Sequence, residues 1–171
     1  MSSPDPNDLL RRHEALIRRV ASAFGRDASD REEIAQEALV QLWRSAARFD
    51  GRCRESTWVY RIALNVAISF GRRERRHRER RELLDESETP AASVPRDEPG
   101  AKVATLLEAV ATLEPFDKAL VLLHLDGNDH ATIGDVLRIT TSNVGTKLQR
   151  LRARLRATIE RLARDKERIQ R

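Results

Sequence analysis

The segment Asp129–Arg156, DHATIGDVLRITTSNVGTKLQRLRARLR, decides how the chain is read. Asp129 opens a short helical stretch to Leu137, Arg138 to Thr140 form a turn, and a long helix begins at Thr141. Short helix, turn and longer basic helix is the plan of a helix-turn-helix. Ile133, Leu137, Ile139, Val144 and Leu148 have the apolar spacing that locks two such helices at a steep angle. Thr141, Ser142, Asn143, Thr146, Lys147, Gln149, Arg150 and Arg152 are the outward candidates. Short polar groups there suit phosphates and base edges, and arginine reads guanine edges in a bidentate way. Two positions depart from the usual motif. Gly134 stands where alanine is common, and Arg138 where a turn glycine is common, at a cost of about 1 kcal/mol if left-handed. In isolation the same residues also read as two ordinary helices with a solvated basic face.

Upstream of this motif the chain also reads as helix. Of its 171 residues, 40% are apolar and 35% charged, and only 4% are aromatic. That composition suits small helical bundles better than one large core. A first amphipathic helix spans about Asn7 to Phe24, with Leu9, Leu10, Leu16, Ile17, Val20 and Phe24 on one face, and ends at Gly25. A second starts at Ser29 or Asp30, each with a glutamate three residues on as a capping box. Its predicted buried face is Ile34, Ala38, Leu39, Leu42 and Trp43; Glu32, Glu33, Gln36 and Glu37 face out. After a loop at Phe49–Ser56, a third helix starts near Ser56 or Thr57. It turns Trp58, Val59, Ile62, Ala63, Val66, Ala67 and Phe70 inward and Arg61 and Asn65 outward. It runs on into an arginine block.

Charge divides the chain. Residues 71–82 hold seven Arg and three Glu, and residues 145–171 hold ten bases and three acids. Between them, 83–99 hold five acids, one Arg and three prolines. The expectation is an all-α protein of two small helical domains, 7–82 and 101–163, joined by a flexible acidic linker, 83–100, with a basic tail, 164–171. The second domain presents Val103, Leu106, Leu107, Val110 and Leu113 on one helix. A further helix starts at Pro115 with Ala119, Leu120 and Leu123 inward, and Asp126-Gly127 makes a turn. In the last helix, Val144, Leu148, Leu151, Leu155, Ile159 and Leu162 also fit a short coiled coil, though the run is brief and its charge disfavours self-pairing.

Other function classes find little support. No phosphate-binding glycine loop, HExxH or nucleophile motif occurs, and His13, His77, His124 and His130 are scattered. The single Cys53 permits no internal disulfide and no cysteine pair for a metal. No catalytic residue, cofactor or metal is expected. No apolar run approaches the roughly 20 residues of a membrane span, and Met1–Asp8 lacks a signal-peptide core. A cytoplasmic protein without direct membrane insertion is expected.

Two further segments carry meaning beside the helix-turn-helix. TWVYRIALNVAISFGRRERR joins aromatics, Arg61, Asn65 and an arginine block, a set suited to melting or unpaired DNA; on this segment alone, Trp58 and Tyr60 read more readily as core packing. DREEIAQEALVQLW has an acidic, glutamine-bearing face suited to a basic helical partner, or simply to solvent.

In this order, DASDREEIAQEALVQLWRSAARFD, STWVYRIALNVAISFGRRER and the helix-turn-helix resemble an extracytoplasmic-function (ECF) sigma factor of the sigma-70 family, over roughly Leu9 to Leu162. The resemblance implies that 7–82 is sigma region 2 and 101–163 is region 4. Asp30, Glu33, Gln36 and Glu37 would bind the β′ clamp helices of core RNA polymerase. Arg52, Ser56, Thr57, Trp58, Arg61 and Asn65 would open the −10 element and hold its flipped base, with Arg72 and Arg73 gripping the nearby backbone. Region 4 would bind the −35 element and the β flap, and an anti-sigma factor would clamp both lobes. The linker would thread a basic channel of the polymerase. Gly145 and Gln149 depart from the family pattern, which has a basic residue and an aromatic or histidine there. The competing reading is a stand-alone helix-turn-helix regulator with a helical effector domain, which leaves the first domain's motifs unexplained.

Overall fold

The computed structural model describes residues 5–83, 105 and 108–169. These residues are helical or in short connections, with no strand among them. The chain divides into two compact units, Met1–Val94 and Pro95–Arg171.

The described residues of the first unit form three α-helices packed together. Helix α1 (Pro6–Phe24) begins with Asp5, whose carboxylate accepts the Asn7 N–H at 3.2 Å, and has Pro6 in its first turn. Helix α2 (Ala28–Ser45) starts earlier than Ser29 or Asp30. Asp27 is its cap, accepting the Asp30 N–H at 2.8 Å, so neither expected capping box forms. A short 3₁₀ turn, Ala46–Arg48, leads to a loop, and α3 (Glu55–Leu83) follows. The core is Leu9, Leu16, Ile17 and Val20 of α1, Ile34, Ala38 and Leu42 of α2, and Val59, Ala63, Val66, Ala67 and Phe70 of α3.

Several positions differ from the periodic reading. Trp43 is 54% exposed rather than inward, and Ala35 takes a buried place. Tyr60 and Leu64 are buried, whereas Trp58 and Ile62 are only half-buried. A helix packed against two neighbours buries a wider arc than one stripe, and that arc is set by where the neighbours sit.

The second unit is built around helices α4 (Pro115–Leu125), α5 (His130–Leu137) and α6 (Thr141–Ile169). Ala119, Leu120 and Leu123 of α4, Ile133 and Val136 of α5, and Val144, Leu148 and Leu151 of α6 close its core, with Ala109 and Leu113 from the preceding stretch. Leu155, Ile159 and Leu162 are half-buried. Helix α6 continues to Ile169, so 164–169 are helix rather than a separate tail. The expected linker after Leu83, and Val103, Leu106 and Leu107, lie outside the described residues.

Candidate polymerase and nucleic-acid surfaces

On α2, Glu33, Gln36, Glu37 and Val40 recur at steps of three and four and so share one face. That face lines a groove of about 390 Å³ between α2 and α3, whose opposite wall carries Asn65, Ser69, Phe70 and Arg73. Three of the four residues expected to meet a protein partner are therefore exposed together.

Asp30 is the exception. It is only 8% exposed. One of its carboxylate oxygens accepts both the Arg26 backbone N–H at 3.1 Å and the Arg26 Nε–H at 2.9 Å. Asp30 locks the start of α2, because a buried carboxylate needs such donors. Arg26 also reaches Glu74 of α3 at 2.8 Å, and the Asp30 bond is the main reason its pKa is raised. Trp43 and Val40, which the periodic reading put inward or passed over, are the large apolar groups exposed on this helix.

The loop between the 3₁₀ turn and α3 is folded onto the start of α3. Phe49 and Trp58 pack with ring centroids 5.0 Å apart. Asp50 accepts the Arg52 N–H at 3.1 Å, and Gly51 takes the positive φ of 72° that turns the chain. Arg61 reaches Cys53 Sγ at 3.8 Å. Glu55 anchors the base of the loop to α1, pairing with His13 at 2.6 Å and Arg12 at 3.1 Å.

Among the residues expected on the −10 surface, Arg52, Asn65 and Arg72 are exposed, and Ser56, Trp58 and Arg61 are half-buried. Thr57 is 3% exposed and belongs to the core side. Arg73 pairs with Glu33 across the groove and lies over the Phe70 ring at 5.2 Å. It is directed toward α2, into the groove that Asn65 also lines.

In the second unit, the Asp129 carboxylate accepts the Thr132 N–H at 2.7 Å and starts α5. The helix ends at Arg138, which takes φ 57° and ψ 45°, the left-handed conformation normally left to glycine. Gly134 shows why the two departures occur together. A Cβ there would lie 2.7 Å from the Ile139 carbonyl oxygen. The bare glycine lets the turn fold tightly back, and its own carbonyl accepts the Ile139 N–H at 3.0 Å. Thr140 then caps α6, its hydroxyl accepting the Asn143 N–H at 3.2 Å.

With α6 so held, Thr141, Ser142, Asn143, Thr146, Gln149 and Arg150 are all exposed. The other two expected contacts are engaged within the unit. Lys147 sits over the Phe116 ring at 5.1 Å, and Arg152 approaches His124 Nε2 at 2.8 Å. Arg154 pairs with Asp117 at 3.3 Å. Lys147, Arg152 and Arg154 thus join α6 to α4, a role the basic pattern alone did not signal.

Comparison with known proteins settles the family. The model for sigma-70 region 2 matches residues 9–77. The ECF RNA polymerase sigma factor SigL of Mycobacterium tuberculosis is 30% identical over 88% of this chain and 86% of its own. The chain belongs to the ECF sigma factors. The RNA polymerase sigma-H factor of Pseudomonas aeruginosa is 26% identical, covering 92% of this chain and 87% of its own. The fold is that of the sigma factor RpoE of Bartonella quintana, solved in complex with the anti-sigma factor NepR. The two share a TM-score of 0.69 at 15% identity, over 90% of this chain and 96% of that one. This sigma factor has, among its described residues, no helix long and apolar enough to cross a membrane.

Proposed function

We propose that this sigma factor binds core RNA polymerase and directs it to promoters of two elements. The observation that carries this reading is the α2–α3 groove, where Glu33, Gln36 and Glu37 face Asn65 and Arg73. An acidic and glutamine-bearing helix face next to a basic, polar one suits simultaneous contact with a basic helical partner and an anionic one.

Residues 7–82 hold the β′ clamp helices through Glu33, Gln36 and Glu37, with Val40 and Trp43 extending that contact. Arg52, Ser56, Trp58, Arg61, Asn65 and Arg72 take the opened −10 element. Within 101–163, Thr141, Ser142, Asn143, Thr146, Gln149 and Arg150 dock the −35 duplex, and the same unit meets the β flap. Lys147 and Arg152 hold α6 in place. The acidic segment 83–100 connects the two and occupies a basic channel. The protein acts in the cytoplasm, supplies no catalytic group of its own, and is held by an anti-sigma factor until needed.

Run-off transcription with purified core polymerase tests the proposal. Addition of the protein is expected to start transcripts at defined positions in promoter fragments from its own genome. If no fragment supports initiation, the reading is wrong. Gel shift with the free protein separates it from a stand-alone regulator, which binds duplex operators tightly without polymerase.

A further inference from the structure

Glu55 is the first residue of α3 and the first after the loop of residues 49–54. Both of its carboxylate oxygens are bound to α1. Oε1 meets His13 Nε2 at 2.6 Å, and Oε2 accepts from the Arg12 guanidinium at 3.1 Å. A carboxylate only accepts, so His13 Nε2 carries the hydrogen. Arg12 lies half in water, but the His13 side chain is only 14% exposed and that of Glu55 29%. On α1, His13 stands four residues after Leu9 and three and four before Leu16 and Ile17, all of them buried. It therefore occupies a place in the apolar stripe that a leucine would fill.

Stability does not account for a polar pair at this place. Drawing the two groups partly out of water offsets much of what their bond gains, and apolar pairs of similar volume often serve a fold as well or better. What an apolar pair lacks is direction. A carboxylate held on both oxygens fixes the distance and angle at which α3 leaves α1. The turn so fixed carries residues of the proposed −10 surface. Trp58 donates its N–H to the Arg54 carbonyl at 3.1 Å and packs its ring on Phe49 at 5.0 Å. Arg61 reaches back to Cys53 at 3.8 Å. The loop is thus tied to α3 through Trp58 and Arg61, and α3 is tied to α1 through Glu55.

We infer that Glu55 is a positioning residue for promoter opening: held by His13 and Arg12, it sets where Ser56, Trp58 and Arg61 meet the unpaired −10 strand. It touches no DNA itself. Its part is to order the loop before DNA arrives, so that binding does not have to supply that order. His13 gives the inner, better shielded arm of the anchor, and the half-exposed Arg12 arm adds less. This inference rests on the −10 role proposed for the first unit.

The test compares stability, polymerase capture and promoter opening in the full-length chain. Opening is read by permanganate reactivity of unpaired thymines, with holoenzyme on a promoter fragment that supports run-off transcription. His13→Leu/Glu55→Leu replaces the directed bond by an apolar pair. It is expected to keep the unfolding midpoint followed by tryptophan fluorescence, and to capture core polymerase in full. Its equilibrium constant for opening is expected to fall about 5-fold or more, as when two side chains must be ordered anew. A double variant that matches the wild type in midpoint and in opening overturns the inference. Should its midpoint fall, the single variants decide. His13→Gln keeps a donor for Glu55 and is expected to retain opening, whereas His13→Leu is expected to lose it. Equal opening by these two overturns the inference. Wild-type opening with unaffected variants removes the anchor alone. A wild type that opens no fragment from its own genome removes the sigma-factor reading, and the anchor with it.

Discussion

Replacing Arg138 by glycine should stabilise the second unit. Arg138 is exposed and holds φ 57°, ψ 45° at the end of α5. A non-glycine residue in that conformation costs about 1–2 kcal/mol. Glycine removes the strain but returns about 0.5–1 kcal/mol as extra freedom of the unfolded chain. From the middle of the two ranges, the net gain is about 0.5–1 kcal/mol. For a unit of this size that raises the unfolding midpoint by about 2–8 °C. Both tryptophans, Trp43 and Trp58, lie in the first unit. Thermal unfolding followed by far-ultraviolet circular dichroism should therefore show the increase, while tryptophan fluorescence should not. Gly127→Ala is the mirror experiment. Gly127 has φ +78° with nothing within 4 Å of a built Cβ, so conformation alone penalises the alanine. Its midpoint should fall by a similar amount. An unchanged or lowered dichroism midpoint for Arg138→Gly refutes the strain argument.

Three other outcomes are expected. Arg150→Ala should weaken binding of polymerase holoenzyme to a duplex carrying the −35 element by about 1–3 kcal/mol. Its capture of core polymerase should be untouched, and loss of capture would put Arg150 in the wrong role. Trp43→Gln should leave stability within about 0.5 kcal/mol, as for an exposed surface site, yet reduce core polymerase retained in a pull-down; full retention would remove Trp43 from that interface. Lys118, on α4, has its pKa lowered from 10.5 by burial. Between the lowered value and 10.5 the unfolded chain binds more protons than the native one, so stability should rise with pH across that window. Lys118→Met should abolish the rise, which urea midpoints measured on either side of it will show.

Much of the candidate site was legible because it depends on local rules. Asp129, the turn and Thr140 mark the ends of α5 and α6, and capping chemistry acts within a few residues. The α2 face of Glu33, Gln36 and Glu37 follows from helical spacing alone. Trp43 was misplaced because its spacing fits the apolar stripe, and no periodic rule tells how far around a helix its neighbours reach. The burial of Thr57 and Asp30 was hidden for a related reason. Polar residues at a helix start look outward until the packing around them is known.

The sequence by itself determined the helical content, the divided charge and the helix-turn-helix, since each rests on patterns within one or two turns. Only the tertiary structure decided which basic residues make contacts within their own unit. Lys147 and Arg152 look equivalent to Arg150 in the sequence, but Phe116 and His124 of α4 hold them. Arg73 and Arg76 are near neighbours in one block, yet Glu33 draws the first across the groove and α3 carries the second into solvent. An ion pair or a ring contact between residues about 30 to 40 positions apart depends on how helices pack, and a linear pattern does not encode that distance.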